Sequence, residues 1–134
     1  MRLIHSIAAA ALLLTAGAPA IARLSPEAEL AKEIAGRVEG KPVNCINLSN
    51  VRGTRIIEKT AIVYDTGSTI YVNRPRGGAD LLDRWDVLVT KLHSSQLCTP
   101  EIVQLYDNGS RMQSGFVSLG EFVPYKKVKA AKRD

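Results

Sequence analysis

The stretch TAIVYDTGSTIYVN, Thr60 to Asn73, constrains the fold more than any other part of the chain. Ile62 and Tyr64 alternate with Ala61 and Val63 ahead of Asp65-Thr66-Gly67, and Ile70 and Val72 alternate with Thr69 and Tyr71 after it. A period of two on both sides of a Gly-containing turn predicts two antiparallel strands joined as a hairpin, with Gly67 in the left-handed position. A second hairpin is predicted in EIVQLYDNGSRMQ, where Asn108-Gly109 favours a tight primed turn. Further strands are predicted at Val43 to Leu48, Thr54 to Glu58, Asp86 to Lys91 and Gly115 to Val123. Trp85, Phe116, Phe122 and the tyrosines are assigned to core or half-buried strand positions. The expected fold is mainly β: a small antiparallel sheet, or a partly closed barrel, of about six to eight short strands with one N-terminal helix.

That helix is read in LSPEAELAKEIAGRVEG, Leu24 to Gly40. Ser25 serves as its cap and Pro26 as its first residue, with Glu27 and Glu29 in the first turn where they suit the helix dipole. Ala28, Ala31, Ala35 and Val38 recur on one stripe, widened by Leu30 and Ile34, and the helix is expected to end near Gly36 or Gly40.

Ahead of it, MRLIHSIAAAALLLTAGAPAIA has one arginine, an apolar run from Ile7 to Leu14 and then small residues, the layout of a secretory signal peptide. The run is far short of the roughly 20 apolar residues that cross a bilayer as a helix. Cleavage is expected after Ala22, with Ala20 the alternative, leaving a mature chain of one domain and no transmembrane segment. The organisation predicted is a leader over 1–22, helix and linker over 23–42, a β domain over 43–125 and a basic disordered tail over 126–134. Residues 23–125 carry twelve Lys and Arg against twelve Asp and Glu, so the excess positive charge sits in the tail alone. The tail can touch anionic surfaces, whereas a neutral body whose aromatics do not alternate with basic residues argues against nucleic-acid binding.

Two cysteines, Cys45 and Cys98, in an exported chain predict one disulfide. The alternatives fail on chemistry. A nucleophilic Cys98 needs a reduced, activated thiol, and a zinc site needs three or four ligands where the mature chain offers one histidine, His93. His93 is expected at the surface or a strand end. Ser94 and Ser95 beside it have no identifiable orienting carboxylate. Asp80, Asp83 and Asp86 recur every third residue, not at calcium-loop spacing, and are read as a helix cap and two solvated charges. No metal or cofactor is expected.

NRPRGGADLLDRWD, Asn73 to Asp86, contains the most suggestive loop. Arg74 and Arg76 flank Pro75 and precede Gly77-Gly78, and backbone N–H groups beside guanidinium can cradle an anion or a partner's acidic group. The plainer reading is a Gly-rich connection between strands with solvated arginines, and the absence of a phosphate-loop spacing favours it.

The segments VNCINLSNVRGTRIIEKTAIVYDTGSTIYVNRPRGG, LCTPEIVQLYD and SLGEFVPYKK resemble the domain of unknown function family 6491, small exported proteobacterial proteins. The resemblance spans about Val43 to Lys127 and implies a secreted domain without an assigned activity. It also implies a second cysteine pair in other members, at the neighbourhoods that here read Gly78-Ala79-Asp80 and Val117-Ser118-Leu119. One bridge is therefore expected instead of two. The functional expectation is a non-enzymatic periplasmic or secreted module that binds a protein or an envelope component through its β surface and the Arg74 to Gly78 loop. The competing classes are a structural or stress-related envelope protein without a specific ligand, and a hydrolase using Asp80, Asp83 or Asp86.

Overall fold

A computed structural model describes residues 17 and 20–129. Most of the predicted leader, and residues 130–134 of the predicted tail, lie outside the described residues. The chain runs α1 (Pro26–Glu33), β1 (Arg37–Glu39), β2 (Cys45–Asn47), β3 (Gly53–Ile57), β4 (Ala61–Asp65), β5 (Thr69–Asn73), β6 (Asp86–Thr90), β7 (Gln96–Cys98), β8 (Ile102–Asp107), β9 (Gln113–Ser118) and β10 (Phe122–Lys127). The ten strands form three antiparallel sheets: β1-β10-β5-β4-β3, β2-β7 and β6-β8-β9. The fold is mainly β with one helix, as predicted, and among the described residues no sheet closes into a barrel.

The five-stranded sheet is covered on both faces, which is why β4 reads as an unbroken apolar run. On one side α1 lays Leu30 and Ile34 over Ile57, Ala61, Val63, Ile70 and Val72. On the other, Ile56, Ile62, Tyr64 and Phe122 pack against Ile46 and Leu97 of the small sheet and Val103, Leu105 and Val117 of the three-stranded one. The two alternating sets read in Thr60 to Asn73 thus serve two different cores. Val63 pairs with Val72 on the helix side, and Tyr64 with Tyr71 on the other.

The first hairpin forms as predicted, with Gly67 at φ +91° and the Asp65 carboxylate accepting its N–H at 2.6 Å. The second departs from the prediction. Asn108-Gly109 does not make a two-residue primed turn, because the left-handed residue is Arg111 (φ +57°) and the loop runs from Asp107 to Met112. The Asp107 carboxylate accepts the Ser110 N–H at 2.6 Å, which replaces the primed turn with a side-chain-capped one.

Three further boundaries move. The helix stops at Glu33, Gly36 turns left-handed at φ +72°, and Arg37 to Glu39 leave the predicted helix and linker to pair with β10. The predicted strand from Gly115 to Val123 is two strands, broken at Leu119-Gly120-Glu121. Lys126 and Lys127, assigned to the disordered tail, instead belong to β10 between β1 and β5. The Arg37 guanidinium fixes this corner by donating to the Ser68 carbonyl at 3.1 Å and the Tyr125 carbonyl at 3.3 Å.

Candidate functional site: a cleft between two sheet edges

β3 is the last strand of the five-stranded sheet, and β6 the last of the three-stranded one. Between them lies a cleft of about 400 Å³. Thr54, Arg55 and Ile56 form one wall and Asp86, Leu88 and Thr90 the other. Leu48, Tyr64 and Leu97 complete the lining, with Arg84 at the rim. The floor is apolar, and the rim carries both signs of charge. A ligand with an apolar body and polar ends matches that lining.

Two arginines shape the rim, each held by carboxylates. Arg84 donates to Glu58 at 3.2 Å and reaches Glu29 of α1 at 3.5 Å. Arg55 pairs with Glu33 of the same helix. The helix, the β3–β4 turn and the approach to β6 are thereby tied at one place. On the opposite wall, Asp86 accepts a hydrogen bond from the Ser114 hydroxyl at 3.1 Å.

Tyr64 is only 3% exposed, and burial raises its phenol above the ordinary range. Among the described residues none hydrogen-bonds its hydroxyl, and no fully buried side-chain polar atom lacks a partner, so the hydroxyl opens onto the cleft. A hydroxyl that faces a cleft from a buried ring, without a protein partner, is a ready hydrogen-bonding group for whatever enters.

The predicted disulfide is present: Cys45 and Cys98 are directly opposed residues of β2 and β7, 4.0 Å apart at Cα. It anchors Leu97 beside the cleft. The Arg74 to Gly78 loop lies elsewhere, and its Arg74 side chain and its Arg76 and Gly77 backbone groups are engaged within the fold. Arg74 makes a two-bond ion pair with Glu27 at 2.8 and 2.9 Å, which holds the Glu27 carboxyl below its usual value and raises the guanidinium. The Arg76 N–H donates to the Ser118 carbonyl at 2.8 Å, and the Ser118 N–H to the Gly77 carbonyl at 3.0 Å. Gly78 (φ +78°) has no room for a Cβ against the Phe116 carbonyl. Ser118 is thereby joined through backbone bonds to Arg76 and Gly77, just ahead of Gly78.

His93 is exposed in the connection between β6 and β7, near Lys91 and Glu101 around a separate hollow of about 370 Å³. Ser94 and Ser95 share that connection; the Ser94 hydroxyl accepts the Gln96 N–H at 3.2 Å, and the Ser95 carbonyl accepts the Leu48 N–H at 2.9 Å. Asp80 does not cap by side chain the short 3₁₀ turn at Ala79–Leu81, of which it is the middle residue. Asp83 caps the Trp85 N–H at 2.9 Å. Asp86, read as a solvated charge, instead lines the cleft.

The aromatic assignment needs correction at two positions: Trp85 is 71% exposed and Phe116 56% exposed, because Trp85 precedes the strand and Phe116 sits on the outward face of β9. Sequence reasoning missed Arg55, Arg84 and Leu88 as site residues. One signal was available, for Val87-Leu88-Val89 is apolar on both faces of its strand. Comparison with protein-family models, curated proteins and solved structures finds no match for the chain.

Proposed function

We propose that this chain is a non-enzymatic, exported binding module whose seat is the cleft between β3 and β6, and that its ligand belongs to a partner protein or another envelope component. The observation that carries this reading is the Tyr64 hydroxyl, carried on a buried ring, unpaired among the described residues and open to an apolar-floored cleft with a charged rim. The cross-strand disulfide supports export to the periplasm or the medium. Among the described residues no helix is long and apolar enough to cross a membrane. The leader pattern and the likeness to family 6491 point to the same compartment. Arg74 contributes as a tie to the helix, and its guanidinium and the Arg76 and Gly77 backbone groups are engaged within the fold, which favours the cleft over the loop as the seat.

The test is photo-crosslinking in the exporting cell, with a benzophenone side chain at Thr54 inside the cleft or at Ser110 on the far hairpin. The proposal expects a discrete adduct from position 54 and none from position 110. Equal labelling at both, or none at 54, would leave a structural protein without a specific ligand as the better account.

A further inference from the structure

The four outer strands of the two larger sheets are not equally protected. β1 carries Arg37 and Glu39, and β3 carries Arg55. β9 is covered where Ser118 bridges Gly77 and Leu81 packs on Gly115. β6, Asp86-Val87-Leu88-Val89-Thr90, has no charge between its ends, no proline, no glycine and no bulge. Its Val87 and Val89 are 46% and 38% exposed. On its free side the only backbone hydrogen bond among the described residues is from the Asp86 N–H to the Asp83 carbonyl. Exposed apolar edges of this kind pair with another strand.

We infer that β6 pairs with β6 of a second copy of this chain, antiparallel and about a two-fold axis at Leu88. Facing residues of adjoining strands share a face, so the two numbers of each pair must sum to an even value. Only the register centred on Leu88 keeps all five residues paired. It sets Val87 against the second copy's Val89, and Asp86 against the second copy's Thr90, so no like charges meet. Just beyond the ladder it brings exposed Trp85 to the second copy's exposed Lys91, a cation–π pair that the symmetry makes twice. The product is a six-stranded sheet, β9-β8-β6 continued by its symmetry mate. A five-residue strand edge buries less than the roughly 800 Å² per partner of a standard interface, so association is weak and rises with concentration.

β6 is also a wall of the cleft, so pairing at its edge brings the second copy to the cleft mouth; the two readings stay distinguishable because crosslinking at Thr54 is read by the mass of the adduct and the pairing by the molar mass of the purified chain alone. Sedimentation equilibrium of the oxidised chain tests it. The mass should climb from one chain toward two as concentration approaches the millimolar range. With Val87→Lys and Val89→Lys together, outward substitutions that leave the core intact, it should stay at one chain while the circular dichroism is unchanged. Trp85→Ala should move the rise to concentrations roughly tenfold higher, as two cation–π pairs are lost. A mass fixed at one chain throughout, or an unchanged rise in the double variant, would overturn the pairing.

Discussion

The side chain of Asn73 reads Gly120 as a strand would: its amide donates to the Gly120 carbonyl at 2.8 Å and its carbonyl accepts the Gly120 N–H at 3.0 Å. Both residues are buried, and this reciprocal pair fastens the end of β5 to the break between β9 and β10. Replacing Asn73 by leucine leaves two buried backbone groups unmet, each costing about 1–3 kcal/mol. We expect Asn73→Leu to lower unfolding free energy by roughly 2–4 kcal/mol, measured by urea denaturation. A loss within experimental error would mean that the break is held by other contacts.

Cys45 and Cys98 close a loop across the small sheet, with a sequence separation of 53. In the chain-entropy model such a link is worth about 4 kcal/mol, a large part of the roughly 5–15 kcal/mol that stabilises a small domain. Cys45→Ala with Cys98→Ala, or reduction of the wild-type chain, should lower the melting temperature by many degrees. Differential scanning calorimetry with and without reductant measures it.

Glu27 and Arg74 give the fold an acid-sensitive tie between α1 and the end of β5. The bond from Arg74 holds the Glu27 carboxyl below its unfolded value, so as pH falls the unfolded chain takes up that proton first. Stability from the pair is therefore present above the ordinary carboxylate range, about pH 4.3, and is lost as pH drops through the lowered folded value. Asp107 behaves alike, held down by the Ser110 N–H. Denaturation midpoints followed from neutral pH to acid should fall less steeply in Glu27→Gln than in the wild type. Parallel curves would refute the assignment.

The parts of the fold legible in the sequence were those fixed by local pattern: the Thr60 to Asn73 hairpin, the Ser25 cap and the cysteine pair. Its alternation could be read because both faces of the hairpin are buried in different cores. β1 and β7 were missed because three-residue strands such as Arg37-Val38-Glu39 carry no period and form only when a partner strand presents itself. The Asn108-Gly109 turn failed because the Asp107 side chain captures the loop. The cleft stayed hidden for a related reason. Its lining comes from β3, β4, β6, β7 and the Leu48 turn, which only the packing of three sheets brings together.

Partner capture by variants of the exported chain decides most directly between the cleft and the loop. Thr54→Arg fills the space between β3 and β6, whereas Arg74→Ala with Arg76→Ala removes both loop guanidiniums and leaves the cleft untouched. In affinity capture from envelope extracts followed by quantitative mass spectrometry, a component retained by the wild type should be lost with Thr54→Arg and kept with the arginine pair removed. Loss with the arginine variant and retention with Thr54→Arg would contradict the placement of the site.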